Sequence, residues 1–171
     1  TAGNSTPLTD GAASILLSSE EWAREKNIPI KAYFTHCKVA AVDFIKKEGL
    51  LMAPVYAVSE MLNEAGLKLQ DFDFYEIHEA FAAQTIATLN AWESEDFCKK
   101  KLSRNKAMGS IDMSKVNTKG GSIAIGHPFA ATGARIVATM AKLLETKGSG
   151  RGLISICTAG GMGISAIMES I

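Results

Sequence analysis

Three side chains able to transfer protons or attack carbonyl groups stand where the chain changes direction. His78 ends a short aromatic-rich stretch, His127 lies between Gly126 and Pro128, and Cys157 ends an apolar run. A histidine titrates near neutral pH and passes protons in both directions, and a cysteine beside a basic partner acts as an acid or a thiolate. These residue types are suited to acyl transfer or to carbon–carbon chemistry next to a thioester carbonyl.

The sequence around His127 indicates a rigid turn. Gly126 lets the backbone turn without a side-chain clash, and Pro128 restricts the residue before it to extended conformations. A general base must lie within hydrogen-bond reach of the proton that it removes. The flanking residues are therefore expected to fix where the His127 ring points.

Each candidate also has an ordinary structural interpretation. A histidine at a strand end is often only a hydrogen-bonded turn residue, and a buried cysteine often packs as a small hydrophobic residue. The glycine turn TAGGMG after Cys157 is weak by itself, because such turns bind anions but also simply reverse the chain. His36 is predicted to be structural within a strand, and Cys98 to lie on a solvated face.

Strands and helices alternate along the chain, which indicates a layered α/β fold. Helices are predicted from Ser18, from Pro54 to a cap at Gly66, from Ala82, and around Ile136–Leu144. Predicted extended or apolar segments are 12–17, 30–41, 72–78, 116–125, 153–157 and 164–168. In such folds ligands bind beyond the strand ends, so coincidence of His78, His127 and Cys157 at three such ends favours one common pocket.

Composition excludes several classes of protein. The 171 residues carry 18 basic and 18 acidic side chains, which gives no global field for nucleic acid. No apolar run approaches the roughly 20 residues of a bilayer span. Three widely spaced cysteines fit neither a disulfide framework nor a zinc site, so a cytoplasmic location is expected. The chain opens on Thr1 without leader features and resembles the middle of a longer protein.

Three segments together resemble the thiolase family. HEAFAAQ (78–84), GHPFAATGARI (126–136) and CTAGGMG (157–163) are similar to three blocks of its C-terminal half, in family order. The resemblance implies a layered fold with a mixed five-stranded sheet and helices on both faces. It also implies that residues 1–27 end an N-terminal domain and that 28–171 form the C-terminal domain, with a surface insertion at 93–115.

The resemblance also implies catalytic roles. His127 would activate a nucleophilic cysteine and line an oxyanion hole, and Cys157 would be the acid and base for the alpha-carbon or thiol proton. His78 would hold the water of the first oxyanion hole. The amide of Ala159, with that of Gly160 beside it, would form the second oxyanion hole.

The HEAF form, followed by a long insert, is similar to degradative thiolases of the trifunctional β-oxidation type. It favours thiolysis of 3-ketoacyl-CoA, with coenzyme A as a substrate and no tightly bound cofactor or metal. Ala80, Phe81 and Phe129 would contact the acyl substrate. A homodimer or homotetramer, and a hydratase/dehydrogenase partner subunit, are expected for the whole protein.

The nucleophilic cysteine of the family belongs to the N-terminal half, and no cysteine of this chain has a matching context. The isolated chain is therefore expected to be inactive. Alternatives are a biosynthetic acetoacetyl-CoA thiolase, a synthase of the related condensing enzymes, or a non-catalytic lobe that binds lipid or a partner. Lys99–Lys101 could contact a partner or an anionic membrane, although a solvated loop is the simpler interpretation.

Overall fold

A computed structural model of the chain describes residues 1–170, and within them one mixed sheet has four strands in the order β1-β4-β3-β2. Its strands are β1 (Tyr33–Ala41), β2 (Phe74–Ile77), β3 (Gly150–Thr158) and β4 (Met162–Ser170). β4 pairs antiparallel with both β1 and β3. β2 pairs parallel with β3.

The helices are α1 (Glu20–Glu25), α2 (Ala53–Ala65), α3 (Ala82–Glu93), α4 (Glu95–Lys101), α5 (Ser122–Ile125) and α6 (Thr132–Lys147). α2 begins with Pro54 in its first turn and ends at Gly66, whose φ of 65° is the left-handed cap that the sequence predicts. None of these helices is both long and apolar enough to cross a membrane.

The core has two layers, one on each face of the sheet. Leu153 of β3 packs in the cluster that contains α2, and the next residue, Ile154, packs in the cluster that contains α6. Successive strand residues point to opposite faces. A strand covered on both sides therefore appears in the sequence as a continuous apolar run. The prediction of a layered α/β fold with helices on both faces is confirmed.

The turn between β3 and β4 depends on glycine. Gly161 has a φ of 77°, and a Cβ built on it would lie 2.6 Å from the Val42 carbonyl oxygen. The Gly161 carbonyl in turn accepts the Val42 N–H at 2.8 Å. This close approach fixes the turn that follows Cys157 against the end of β1.

Two predicted extended segments are wrong. Residues 12–17 form no strand, because no segment within residues 1–170 pairs with them, and an unpaired strand has no ladder to hold it. In 116–125, Val116 makes a single bridge to Tyr75, and the chain then turns at Asn117 and Gly120 into α5. His127 thus follows a helical turn, and the described sheet has four strands where the resemblance implies five.

Cys98 is fully buried, which corrects its predicted place on a solvated face. It lies four residues before Leu102, the residue that directly follows α4, and both join the core cluster of α2. The charged side of the same helix carries Lys99–Lys101, which pair in turn with Glu95, Asp96 and Glu48. α4 is therefore an amphipathic helix with one side in the core and a charged outer side.

Ala130 should be a site where glycine stabilises the fold, because its φ is 67°. The left-handed region costs a Cβ-bearing residue about 1–2 kcal/mol, which glycine would not pay. Glycine also gives the unfolded chain more conformational freedom, and this lowers the free energy of unfolding by about 0.4–1 kcal/mol. Ala130→Gly is expected to raise the free energy of unfolding by about 0.5–1 kcal/mol in urea titrations.

The matched control for that substitution is Ala141→Gly, within α6, which should lower the same free energy by about 1 kcal/mol. A loss of stability in both variants would contradict the assignment of strain to Ala130.

Candidate active site

The parallel pair β2 and β3 brings two candidate residues to one edge of the sheet. Ile77 lies opposite Ser155, and the His78 N–H donates to the Ser155 carbonyl at 2.9 Å. The carboxyl ends of parallel strands meet at the same edge. His78 and Cys157, which follow these two strand positions, therefore lie at the same end of neighbouring strands.

Asn117 connects the loop before His127 to the end of β2. Its side-chain Oδ1 accepts the Ile77 N–H at 2.8 Å, and its Nδ2 donates to the Ile77 carbonyl at 2.9 Å. Its backbone N–H donates to the Tyr75 carbonyl at 2.8 Å. The φ of Asn117 is 47°, a conformation that asparagine tolerates better than most residues. The Asn117 side chain thus continues the hydrogen bonding to β2 that begins at the bridge between Val116 and Tyr75.

Glu79 makes a second connection to the same loop. Its Oε1 accepts from Asn117 Nδ2 at 2.7 Å, and its Oε2 accepts the Ile123 N–H at 3.2 Å. A Cβ at Gly121 would collide with this carboxylate, so the glycine leaves the space that Glu79 fills. These contacts place α5, and the histidine turn after it, against the end of β2.

The result is that His78 and His127 lie against each other, with ring centroids 4.3 Å apart at an angle of 51°. His78 Nδ1 is 2.8 Å from Ser122 Oγ, and His127 Nδ1 is 2.6 Å from Thr132 Oγ1. The Phe129 ring contacts His127 edge-on at 4.8 Å. Each histidine therefore has one nitrogen held by a hydroxyl group.

Burial keeps both histidines neutral at pH 7. Desolvation, reinforced by the charges of His127 and Arg135, lowers the pKa of His78 to about 4. Desolvation and Arg135 also lower the pKa of His127. A neutral imidazole has one nitrogen free to accept a proton, which is the state that a general base requires.

Cys157 is only 6% exposed and is held by Gln84. Its thiol donates to Gln84 Oε1 at 3.5 Å, while Gln84 Nε2 donates to Thr88 Oγ1 at 3.1 Å. Burial raises the pKa of the Cys157 thiol to about 11, although hydrogen bonds from backbone amides, including that of Ala80, oppose the shift. The group is therefore a protonated thiol at neutral pH and is suited to donating a proton.

The remaining predicted residues lie around this edge with more exposure. Phe81 is 48% exposed at the start of α3, and Phe129 is 70% exposed beside His127. Ala159 and Gly160 lie in the turn between β3 and β4. His36 lies within β1, at the opposite side of the sheet from β2, as its structural interpretation predicts.

The sequence analysis missed the polar residues that hold the candidate side chains. Ser122, Thr132, Gln84 and Asn117 each contact one of them or the strand end beside it. Gln84 and Thr132 belong to the quoted HEAFAAQ and GHPFAATGARI segments, so their proximity to a candidate was a usable signal. Ser122 and Asn117 carried none beyond their polarity within an apolar stretch.

Comparison with known proteins identifies the fold family. Residues 28–170 match the family model described as the C-terminal domain of thiolase. The chain belongs to the thiolase family.

Curated thiolases match nearly the whole chain. The 3-ketoacyl-CoA thiolase of Shewanella baltica (strain OS185) is 46% identical over 169 residues, which is 99% of this chain and 38% of that protein. That of Shewanella amazonensis is 47% identical with the same coverage. The chain thus spans less than two-fifths of the length of these relatives and corresponds to their C-terminal part.

Solved thiolase structures have the same architecture. The acetyl-CoA acetyltransferase of Bacillus anthracis is 34% identical with a TM-score of 0.80, covering 100% of this chain and 38% of its own. The dimeric peroxisomal thiolase of Saccharomyces cerevisiae is 35% identical with a TM-score of 0.82 and the same coverage. Human mitochondrial 3-ketoacyl-CoA thiolase is 31% identical with a TM-score of 0.76, covering 99% and 38%.

The contact between Gln84 and Cys157 predicts opposite effects of two substitutions on the thiol pKa. Gln84→Glu places a carboxylate beside the thiol and should raise its pKa further, because a nearby negative charge disfavours the thiolate. Gln84→Met removes the acceptor and should lower it.

The measurement is the rate of iodoacetamide alkylation of Cys157 between pH 7 and 10, resolved by mass spectrometry, with exposed Cys37 as the internal control. Equal Cys157 rates in the wild type and both variants would refute a role for Gln84.

Proposed function

We propose that this chain supplies the C-terminal part of the active site of a 3-ketoacyl-CoA thiolase, which cleaves 3-ketoacyl-CoA to acetyl-CoA and a shortened acyl-CoA. The observation that carries the proposal is the contact of two neutral histidines at the sheet edge where the buried thiol of Cys157 also lies. The names of the curated relatives agree with this activity.

His127 acts as the general base in this proposal. The Thr132 hydroxyl donates to the Pro128 carbonyl at 3.2 Å, so it accepts the His127 Nδ1–H at 2.6 Å. Only this arrangement makes both contacts hydrogen bonds. The lone pair of His127 then lies on Nε2, where it takes the proton of the nucleophilic cysteine that the N-terminal half contributes.

Cys157 acts as the acid. The cysteine thiolate attacks the 3-keto carbon, and the bond between the alpha and beta carbons breaks with its electron pair on the alpha carbon. The Cys157 thiol donates its proton to that carbon, which releases acetyl-CoA and leaves an acyl-enzyme. Coenzyme A then loses its thiol proton to the Cys157 thiolate and attacks the acyl-enzyme. The nucleophilic cysteine leaves as a thiolate and regains its proton from His127, and release of the shortened acyl-CoA completes a ping-pong cycle.

The other residues bind the reacting oxygens and the acyl chain. His78 holds the water of the first oxyanion hole, and the amides of Ala159 and Gly160 serve the second, where hydrogen-bond donors stabilise developing negative charge. Ala80, Phe81 and Phe129 contact the acyl substrate. Phe81 and Phe129 are largely exposed in the chain by itself, which leaves them free for this contact.

We assign residues 1–27 to the end of an N-terminal domain and 28–171 to the C-terminal domain. Leu8, Leu16 and Leu17 are between 64% and 77% exposed, as expected if another part of the protein covers this segment. The complete protein would be a homodimer or homotetramer in the cytoplasm, and a hydratase/dehydrogenase subunit is a further partner to test. His78 of the HEAF segment favours the degradative direction over acetoacetyl-CoA synthesis.

A non-catalytic lobe that binds lipid or a partner is the second hypothesis. Its basic surface would be Lys99–Lys101, but each of these lysines is paired with a carboxylate. Their charge is thus largely compensated locally, and the enzyme interpretation has the better support.

Removing the base should nearly abolish thiolysis. In the chain joined to its N-terminal half, His127→Ala is expected to lower kcat by several powers of ten, because base and oxyanion stabilisation are lost together. The rate is followed as coenzyme A-dependent loss of 3-ketoacyl-CoA. His36→Ala, which alters a histidine on the far strand, should leave kcat unchanged, and a loss within tenfold for His127→Ala would make His127 structural.

The isolated chain should have no thiolase activity, because the acyl-accepting cysteine is supplied by the other half. The same assay on the chain alone is expected to give no turnover, and addition of the separately expressed N-terminal half is expected to restore it. Turnover by the chain alone would refute this division of the active site.

A further inference from the structure

We propose that Ser122 is a positioning residue that keeps His78 in the tautomer with its proton on Nε2. The proposal rests on the proposed function, in which His78 donates a hydrogen bond at the first oxyanion hole. Its basis is a chain of polar contacts that runs from Glu76 through Arg135 and Ser122 to His78.

The Ser122 hydroxyl is completely buried and has two polar neighbours. Its Oγ lies 2.8 Å from His78 Nδ1 and 3.2 Å from Arg135 Nη2. Nothing else in residues 1–170 makes a hydrogen bond with it. The hydroxyl proton must therefore be assigned between these two neighbours.

A guanidinium group only donates hydrogen bonds, so Arg135 uses a lone pair of Ser122 Oγ. The one acceptor left for the hydroxyl proton is His78 Nδ1, which must then carry a lone pair. The opposite arrangement, with Nδ1–H donating to Ser122, would leave a buried hydroxyl proton without an acceptor, which is unfavourable. The neutral ring consequently carries its proton on Nε2.

Glu76 is the acidic residue nearest to Arg135 at this site. Its carboxylate is 1% exposed, and its Oε2 is 3.8 Å from Arg135 Nη1. Glu76 and His78 are two residues apart around the end of β2 and lie on the same face of the sheet as α6, which carries Arg135. The Glu76 side chain thus lies near one terminal nitrogen of the guanidinium, and the other terminal nitrogen reaches Ser122.

The two neighbouring histidines then present opposite groups. His127 has a lone pair on Nε2 and can remove a proton, whereas His78 has a proton on Nε2 and can donate to water or a developing oxyanion. If His78 lost this preference, part of the protein would present a lone pair there and would repel the substrate oxygen. The effect would be on the rate of the chemical step and not on binding of the coenzyme A moiety.

The experiment compares wild type and Ser122→Ala in the chain joined to its N-terminal half. The imidazole ¹⁵N shifts of His78, assigned with His78→Gln, are expected to report Nε2–H in the wild type at pH 7. Ser122→Ala should show a mixture with Nδ1–H and a fall in kcat of about tenfold with KM within about twofold.

Ser165→Ala is the matched control, because Ser165 is also fully buried but its hydroxyl contacts Met61 Sδ at 3.5 Å. It should leave the His78 spectrum and kcat unchanged. A wild-type His78 with its proton on Nδ1 overturns the proposal even if Ser122→Ala does not fold, and an unchanged tautomer in a folded Ser122→Ala also overturns it. A wild-type protein with the expected tautomer but without thiolysis would refute the proposed function alone.

Discussion

The side-chain amide of Asn117 is the interaction on which the arrangement of the candidate site depends. It forms two hydrogen bonds with the backbone of Ile77, the residue directly before His78, and a third with Glu79, the residue directly after it. The loop that leads to His127 is therefore held against the end of β2 within one residue of His78. Each such bond contributes only about 0.5–1.5 kcal/mol to stability, but together they determine which two rings meet.

Desolvation sets the protonation states at this edge of the sheet. It lowers the pKa of His78 to about 4 and raises the pKa of Cys157 to about 11, so at pH 7 the imidazole is neutral and the thiol is protonated. Burial also raises the pKa of Glu76 to about 7, although Arg135 opposes the shift. Burial therefore acts in the same sense on all three groups, because it favours the uncharged form of each. Hydroxyl and amide groups make the direct side-chain hydrogen bonds to the three candidate residues.

The mixed topology of the sheet makes this edge possible. β2 runs parallel to β3, so the chain leaves both strands at the same end, whereas the antiparallel β4 returns from that end through the glycine turn after Cys157. α3 and α6 then begin beside the same edge, with Gln84 in the first and Thr132 in the second. Each helix therefore delivers a polar group that contacts a reactive side chain on the neighbouring segment.

The sequence by itself determined the layered α/β fold, the thiolase family, and the strands and helices whose apolar period is unbroken, such as β3, β4 and α2. It did not determine the fate of 116–125, because an apolar run bounded by glycines is compatible with a strand or a helical turn until its hydrogen-bond partners are known. It also placed Cys98 on the wrong face, because burial of α4 depends on packing against the cluster of α2. Only the tertiary structure decided that Ser122, Gln84 and Asn117 hold the reactive groups, since their partners lie about 40 to 70 residues away and are brought near by strand register. The local sequence pattern shows which side chains are apolar. Which polar groups form hydrogen bonds with each other depends on how the strands and loops are assembled.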